Sequence, residues 1–573
     1  MEINFLVGGE AGQGVQTVGF VLAKVMSRGG LHVFADQDYE SRIRGGHNFF
    51  RVRAGDTPVG ALSENVDILI ALNKETLDLH RSEVKPGGLA LFDRGKVGDY
   101  AGGDILFDVP LEKLALDTTS DKLMTNSVAT GAALGLLAYD FDLLASVLRE
   151  QFAKAGAAVV ANNVKAARAG YDFATEKGAS RRLASRMKPA SKERRMLLNG
   201  NEALALGAVA AGMKFMAAYP MTPVTSIMEF VSERAQKHNI VVVQPEDEIS
   251  AINMVVGASY AGVRAMTATS GSGFCLMVEG LGLAGITETP TVVVLGQRPG
   301  PAVGLPTRTE QGELLFACFA GTGEFPRAVL TPSTVEGCFH AAVRAFNLAE
   351  KYQTLVIIMT DHVLSTSYHT AERFDLNKVT IDRGLLLSQE ETEKATDYKR
   401  HLITGSGISP RAFPMQGKAL VITDSDEHNE EGHMIEDAET RTAMVLKRLR
   451  KLDGLKKDIS QPSLREYAQA EATLIGWGST YGAIEEACEI LRRDGMPANH
   501  LHLDQVWPFP SQSVASALAK TRRTYVVENN ATGQLARLIR AETGVGVSGG
   551  INRFDGRPFS PDSIVSALKK EVS

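Results

Sequence analysis

Short apolar runs punctuate the chain, and most lead into glycine, proline or small polar residues and then into apolar positions at helical spacing. In the first third, residues 3–7, 31–34, 67–72 and 89–92 read as strands and 15–28 as an amphipathic helix, with alanine- and leucine-rich covering helices over 126–139 and 141–160. Farther on, helices over 201–213, 248–260 and 334–352 alternate with strands at 215–218, 240–243, 265–269, 291–295, 328–330 and 354–359. A charged helix over 436–452 carries apolar Ala443, Met444, Val445 and Leu449. Strands at 472–477, 500–503 and 524–527 then accompany a helix over 483–492. Strand alternating with helix is the pattern of α/β domains.

At 573 residues the chain is too long for one core. Residues 180–196 are basic, contain Pro189 and lack an apolar stripe, so they mark a boundary. The expected division is an α/β domain over 1–185, a basic linker over 186–196, a central α/β domain over 197–395, a mixed connecting segment over 396–470 and a third α/β domain over 471–573. Within the mixed segment, the acidic run 424–433 reads as a solvated surface rather than an ion site.

Composition narrows the classes. Hydrophobic residues at 44% and charged residues at 22% describe an ordinary globular protein. A net charge of −6 gives no case for nucleic acid or an anionic membrane surface. No apolar run reaches the ~18 residues of a membrane span. The amino terminus enters a strand with no basic leader, so a cytoplasmic location is expected. Cys275, Cys318, Cys338 and Cys488 are scattered, with no Cys-x-x-Cys pair, which suits neither a disulfide framework nor an iron–sulfur cluster on this chain.

Two sets of residues carry candidate chemistry. The first is Gly9-x-x-Gly12-Gln13-Gly14, between a strand and a helix, where backbone N–H groups can receive a phosphate. Its spacing reverses that of the dinucleotide fingerprint, which weakens a nicotinamide reading with Asp36 as the ribose acid. Arg42, Arg44 and His47 follow on a glycine-broken loop; they either line a cationic pocket or pair with Asp36, Asp38 and Glu40. His47 shows no metal-ligand partner at useful spacing. The second set falls where an α/β domain places its ligand loops. It comprises Tyr219-Pro220-Met221-Thr222-Pro223, Gln244-Pro245-Glu246-Asp247-Glu248, Thr269-Ser270-Gly271-Ser272-Gly273 and Gly304-Leu305-Pro306-Thr307-Arg308-Thr309-Glu310-Gln311-Gly312. Asp361-His362, at a strand end with no nucleophile spaced to it, reads as a hydrogen-bonded terminus.

Taken in order, these stretches resemble the 2-oxoacid:ferredoxin oxidoreductases, and within them an α subunit with a γ domain fused in front, of the 2-oxoglutarate type. The resemblance covers essentially the whole chain. It implies that the central domain binds the pyrimidine half of thiamine diphosphate, that the last domain is transketolase-carboxyl-terminal-like, and that Gly12, Gln13, Gly14, Arg42 and Arg44 serve coenzyme A. Tyr219, Pro220, Thr269, Ser270 and Gly271 then surround the cofactor. Glu248, nine residues before Gly257, takes the catalytic position, with Glu246 and Asp247 as competitors by charge alone. Arg308 and Thr222, with Arg298 as a second candidate, take the substrate carboxylate, because a guanidinium pairs with one through two bonds. The Asn/Gln residues of 528–534 suit a subunit interface.

The resemblance also implies what lies elsewhere. The chain has no Gly-Asp-Gly, the start of the family's metal–diphosphate motif. A β subunit is therefore expected to supply Mg2+, the diphosphate site and a 4Fe-4S cluster, within a dimer of αβ heterodimers that reduces ferredoxin and forms acyl-CoA. Three rivals remain: a thiamine-dependent dehydrogenase or synthase that does not use ferredoxin, a nicotinamide enzyme using the first glycine loop, and a noncatalytic regulatory subunit.

Overall fold

The computed structural model describes residues 1–41, 45–179, 188–189 and 195–572. Arg42 and Arg44, and most of the basic linker, lie outside the described residues. The chain divides into two compact units.

The first unit comprises Met1–Leu198 with Thr366–Arg373 and Ser560–Ser566. Its eight-stranded sheet is parallel on one side, where Leu106–Asp108, Val84–Phe92, Val66–Ala71 and Glu2–Glu10 lie in that order. It continues antiparallel through His47–Gly55, His32–Asp38, Tyr368–Ala371 and Met196–Leu198. The helix expected over 15–28 is present as Val15–Arg28, and its Val18, Val21, Leu22, Val25 and Met26 enter the core. Strand His47–Gly55 was not among the expected elements. It alternates buried Phe50, Val52 and Ala54 with Arg51 and Arg53, whose guanidinium groups pair with Glu83 and Glu2.

The single helix expected over 141–160 is two. Phe141–Gln151 ends, Gly156 adopts φ +98°, and Ala157–Lys177 begins. That second helix crosses Thr125–Leu136 at glycine: a Cβ on Gly131 would collide with the Ala167 carbonyl, and one on Gly170 with the Val128 carbonyl. Backbones approach this closely only without side chains between them.

The second unit comprises Asn199–Ser365, Phe374–Phe559 and Ala567–Ser573. Its seven-stranded sheet runs Gln505–Trp507, Arg327–Leu330, Leu355–Asp361, Thr291–Gln297, Ala265–Ser270, Phe215–Ala217, Val241–Val243, parallel except for the first strand. A five-stranded sheet runs Ser463–Arg465, Ala498–Leu503, Ala472–Trp477, Arg523–Glu528, Gly549–Asn552. Gln505–Trp507 belongs by sequence to the last stretch yet pairs with Arg327–Leu330 of the central sheet. One apolar core, from Val293 and Leu295 to Trp477 and Leu503, runs through both sheets. The three sheets are consistent with the expected class of three α/β domains.

The connecting segment is bound through buried charge. Helix Ala438–Leu455 buries Met444, Lys447, Arg448, Lys451 and Leu455, whereas the expected Ala443, Val445 and Leu449 are only half-buried. The reason is a carboxylate. Glu288, fully buried at φ +52°, takes ion pairs from Lys447 and Lys451 and lies 3.1 Å from His401 Nδ1. The acidic run is likewise not a solvated face. His428 is buried, and Glu427 Oε1 and Oε2 accept from Arg448 at 2.8 and 2.7 Å. Against the upward push of burial, Arg448 and Arg441 hold the Glu427 carboxyl at about 2. Among the described residues no helix is long and apolar enough to cross a membrane.

Candidate active site

The motif stretches of the second unit follow neighbouring parallel strands, so they gather at one edge of one sheet. Tyr219–Pro223 follows Phe215–Ala217, Glu248 follows Val241–Val243, Gly271 follows Ala265–Ser270, and Arg298 follows Thr291–Gln297.

Burial separates the three competing acids. Glu246 is exposed and Asp247 is spent as a helix cap, its Oδ1 accepting from Ser250 N–H at 2.8 Å. Glu248 opens helix Glu248–Tyr260 and is 3% exposed, with Oε1 accepting from Thr269 Oγ1 at 3.3 Å. It rests on helix Gly271–Ile286 where a Cβ on Gly273 would collide with Thr269 Oγ1 and Glu248 Oε1. Gly273→Ala is therefore expected to displace the Glu248 carboxyl and lower turnover while the unit still folds. Steady-state rates beside a circular dichroism melt check it; wild-type turnover would show that the carboxyl need not sit there.

The two candidate arginines occupy different places. Arg298, 6% exposed, donates from Nη1 to the Thr222 carbonyl at 2.9 Å, so Arg298 and Thr222 are brought together. Arg308 donates from Nη1 to its neighbour's Thr307 carbonyl at 3.0 Å and its stem packs against Gly556. Its charge also reaches His362, whose imidazole is pushed down to about 4 by burial and then by Arg308. Asp361 is held by the Leu364 N–H at 3.1 Å and by the Ser479 hydroxyl. Tyr219 is 38% exposed, whereas Thr269 and Ser270 are fully buried.

The loop that carries Arg308 is tied to the end of the chain. Gln311 N–H donates to the Asn529 carbonyl at 2.7 Å, and Asn529 N–H donates to Gln311 Oε1 at 3.0 Å. Gln311 Nε2 reaches the Trp477 carbonyl at 2.9 Å, Asn530 Nδ2 the Gln311 carbonyl at 3.1 Å, and Gln534 Nε2 the Gly312 carbonyl at 2.6 Å. The Asn/Gln residues expected at a subunit interface thus make these bonds inside the chain. Sequence reasoning also passed over Gln297 and Glu313. Gln297 Nε2 donates to the Thr360 carbonyl at 3.2 Å, while its Oε1 accepts from Glu313 N–H at 3.2 Å. A polar strand end followed by a glycine-rich loop was the available clue.

In the first unit, Gly12 and Gly14 have φ +90° and +79°, and Gly14 precedes helix Val15–Arg28 with Asn126 against it. A cavity of about 280 Å3 opens here, lined among others by Gly12, Gln13, Lys96, Lys122 and Asn126. Asp36 is committed elsewhere: Ser367 Oγ donates to it at 2.7 Å. His47, without a sequence-local partner, has a distant one: its Nε2 lies 2.8 Å from His80 Nε2, and His80 Nδ1 lies 2.7 Å from Glu83. Among the described residues no group of His, Cys, Asp or Glu is arranged to hold a metal ion.

Three family models match the chain. Residues 206–447 match the thiamine diphosphate-binding domain of pyruvate flavodoxin/ferredoxin oxidoreductase. Residues 4–173 match pyruvate ferredoxin/flavodoxin oxidoreductase, and 470–564 match core domain II of pyruvate:ferredoxin oxidoreductase. The 2-oxoacid:ferredoxin oxidoreductase subunit alpha of a Sulfolobus species is 32% identical, covering 100% of this chain and 97% of that one. The 2-oxoglutarate oxidoreductase subunit KorA of Mycobacterium tuberculosis is 28% identical, over 97% of this chain and 89% of that one. The solved 2-oxoglutarate:ferredoxin oxidoreductase of Magnetococcus marinus, with 2-oxoglutarate, coenzyme A and succinyl-CoA bound, superimposes with a TM-score of 0.92 at 32% identity and 100% coverage of both chains. With its motifs on one sheet edge and relatives matched from end to end, the chain belongs to the α subunits of the 2-oxoacid:ferredoxin oxidoreductases.

Proposed function

We propose that this α subunit, joined to a β subunit, oxidatively decarboxylates 2-oxoglutarate to its coenzyme A thioester and reduces ferredoxin. The observation that carries the substrate is a pair of cations at the ligand edge of the central sheet. Arg298 beside Thr222, and Arg308 beside His362, offer one guanidinium to each carboxylate of a dicarboxylic 2-oxoacid.

The residues present fit the aminopyrimidine end of thiamine diphosphate. Glu248 is a buried carboxyl at a helix start, and the Ser270 hydroxyl, at the end of the neighbouring strand, is buried with no protein partner among the described residues. When bound, the cofactor supplies the carbon nucleophile that opens a 2-oxoacid to loss of carbon dioxide. Glu248 would hold the aminopyrimidine end and carry its proton at the carboxyl that Thr269 Oγ1 fixes, and Tyr219 and Pro220 would take part in holding that end. Thr222 and Arg298 orient the substrate's 1-carboxylate. The glycine loop at Gly12–Gly14, with Lys96 and Lys122 at its cavity, receives the phosphates of coenzyme A. Mg2+ and a 4Fe-4S cluster belong to the β subunit in this reading, and the assembly is a dimer of αβ heterodimers.

The test compares two conservative changes in the assembled enzyme. Arg298→Lys is expected to lower kcat/KM for pyruvate, 2-oxobutyrate and 2-oxoglutarate alike. Arg308→Lys is expected to lower it for 2-oxoglutarate alone. Each replaces a planar fork by a point charge, a change worth about ten- to a hundredfold. Equal losses on all three substrates from Arg308→Lys would remove the dicarboxylate assignment.

A further inference from the structure

Asn201 has no part in the assignments above. It is the second residue of helix Gly200–Ala210 and is fully buried, a costly place for an amide unless its hydrogens are used. Both find acceptors on one neighbouring segment. Nδ2 donates to the Pro223 carbonyl at 2.7 Å and to Ser226 Oγ at 2.9 Å. A carbonyl only accepts, so the amide nitrogen, and not its oxygen, has to face Pro223.

The Pro223 carbonyl depends on that bond. Pro223 is buried, and the Ile227 N–H, which would complete a helical bond to it, goes to the Val224 carbonyl at 3.0 Å. The same turn is held from two further sides. Arg298 Nη1 takes the preceding carbonyl, that of Thr222, at 2.9 Å. Gly296 lies against the turn, where a Cβ would collide with Val224 Cγ1 and press on the Pro223 ring. The helix that carries Asn201 is itself fixed at this end. Asn199 and Glu202 close a capping box, and a Cβ on Gly200 would collide with the Leu364 carbonyl. Thr222 thus stands on a turn whose two consecutive carbonyls are gripped by side chains from different elements, Arg298 after strand Thr291–Gln297 and Asn201 on helix Gly200–Ala210.

We propose that Asn201 is a positioning residue that fixes Thr222 for the substrate's 1-carboxylate. This rests on Thr222 as a carboxylate ligand. It adds that the hydroxyl is useful only while the next carbonyl is anchored, by a residue that touches no reacting atom.

The experiment is a double-mutant cycle on the assembled enzyme, read as kcat/KM for 2-oxoglutarate with the KM for coenzyme A beside it. Thr222→Val removes the hydroxyl and keeps the shape. Asn201→Leu keeps the volume and branching of asparagine and donates nothing. Each alone is expected to lower kcat/KM by about ten- to a hundredfold, the range of one hydrogen bond to a charged group, with the KM for coenzyme A unchanged. In the Thr222→Val background, Asn201→Leu is expected to cost less than about twofold more, because residues that act as one unit are not additive. Losses that multiply, so that Asn201→Leu costs as much without the Thr222 hydroxyl as with it, overturn the inference and leave Asn201 a packing residue. Wild-type kcat/KM in Asn201→Leu beside a loss in Thr222→Val overturns it as well, while Thr222 keeps its role. Wild-type kcat/KM in Thr222→Val removes Thr222 from the substrate, and the inference falls with that reading. Should Asn201→Leu fail to assemble, Asn201→Ser, smaller and too short to reach the Pro223 carbonyl, goes through the same cycle with the same expected result.

Discussion

Glu248→Gln, assembled with its partner subunit, is expected to lose about 10²–10⁴-fold in turnover, the range of a general acid–base group. The change preserves shape and the hydrogen bond from Thr269 Oγ1, which an amide oxygen also accepts. It removes the group that can give up and regain a proton. Glu246→Gln is the matched control, because Glu246 is exposed. Steady-state kcat for both variants, with a cofactor titration and a thermal melt, separates lost chemistry from lost folding. A Glu248→Gln enzyme near wild-type rate, with Glu246→Gln impaired, would transfer the role to the exposed acid.

The largest expected effect on stability is at Glu288. Glu288→Gln leaves Lys447 and Lys451, whose side chains are 0% and 1% exposed, without their counter-charge. Breaking a buried pair from one side costs about 3–5 kcal/mol, since the remaining charge stays desolvated. Denaturant unfolding should show the loss as a lower midpoint, with the fluorescence of the second unit as the probe. The pH dependence has a definite sign. Burial alone would raise the Glu288 carboxyl, but Lys451, Lys447 and His401 bring it well below 4.5. Its contribution is therefore complete above about pH 4.5 and drains away as pH falls toward the folded-state value, so the wild-type advantage narrows in acid. Adding Lys447→Met and Lys451→Met to Glu288→Gln should recover much of the loss, because an apolar replacement needs no partner. A triple variant no better than the single one would put the instability elsewhere.

What the sequence made legible follows from the range of each interaction. Strands such as Thr291–Gln297 and Leu355–Asp361 are buried throughout and apolar over 292–295 and 355–359, and the polar and turn residues that follow mark the ligand edge. Helix Val15–Arg28 has one apolar stripe and glycine at both ends. Strand His47–Gly55 is not legible in the sequence because its Arg51 and Arg53 resemble a loop until Glu83 and Glu2 are brought opposite them. The buried face of helix Ala438–Leu455 is hidden in the sequence for the same reason, since lysine is normally a surface residue and Glu288 lies far away in sequence. Among three acids in a row, burial singled out Glu248, and the motif spacing had pointed there too. Glu313 carries no motif. Its environment is assembled from Gly271, Gln297, Arg298 and Gln534, and no local pattern announces that meeting.

The hydrogen bonds between Gln311 and the Asn529–Gln534 turn bear on how such a chain can be re-engineered or diversified. The segment that carries Arg308 borrows its shape from residues more than 200 positions away. A graft that exchanges the loop alone would arrive without its mould, and one that exchanges only the terminal sheet would leave the native loop unsupported. Should Arg308 take the proposed substrate role, altered oxoacid preference would be inherited as a matched pair of segments, and libraries that vary residues 304–313 together with 528–534 are expected to hold more working enzymes than libraries that vary either one.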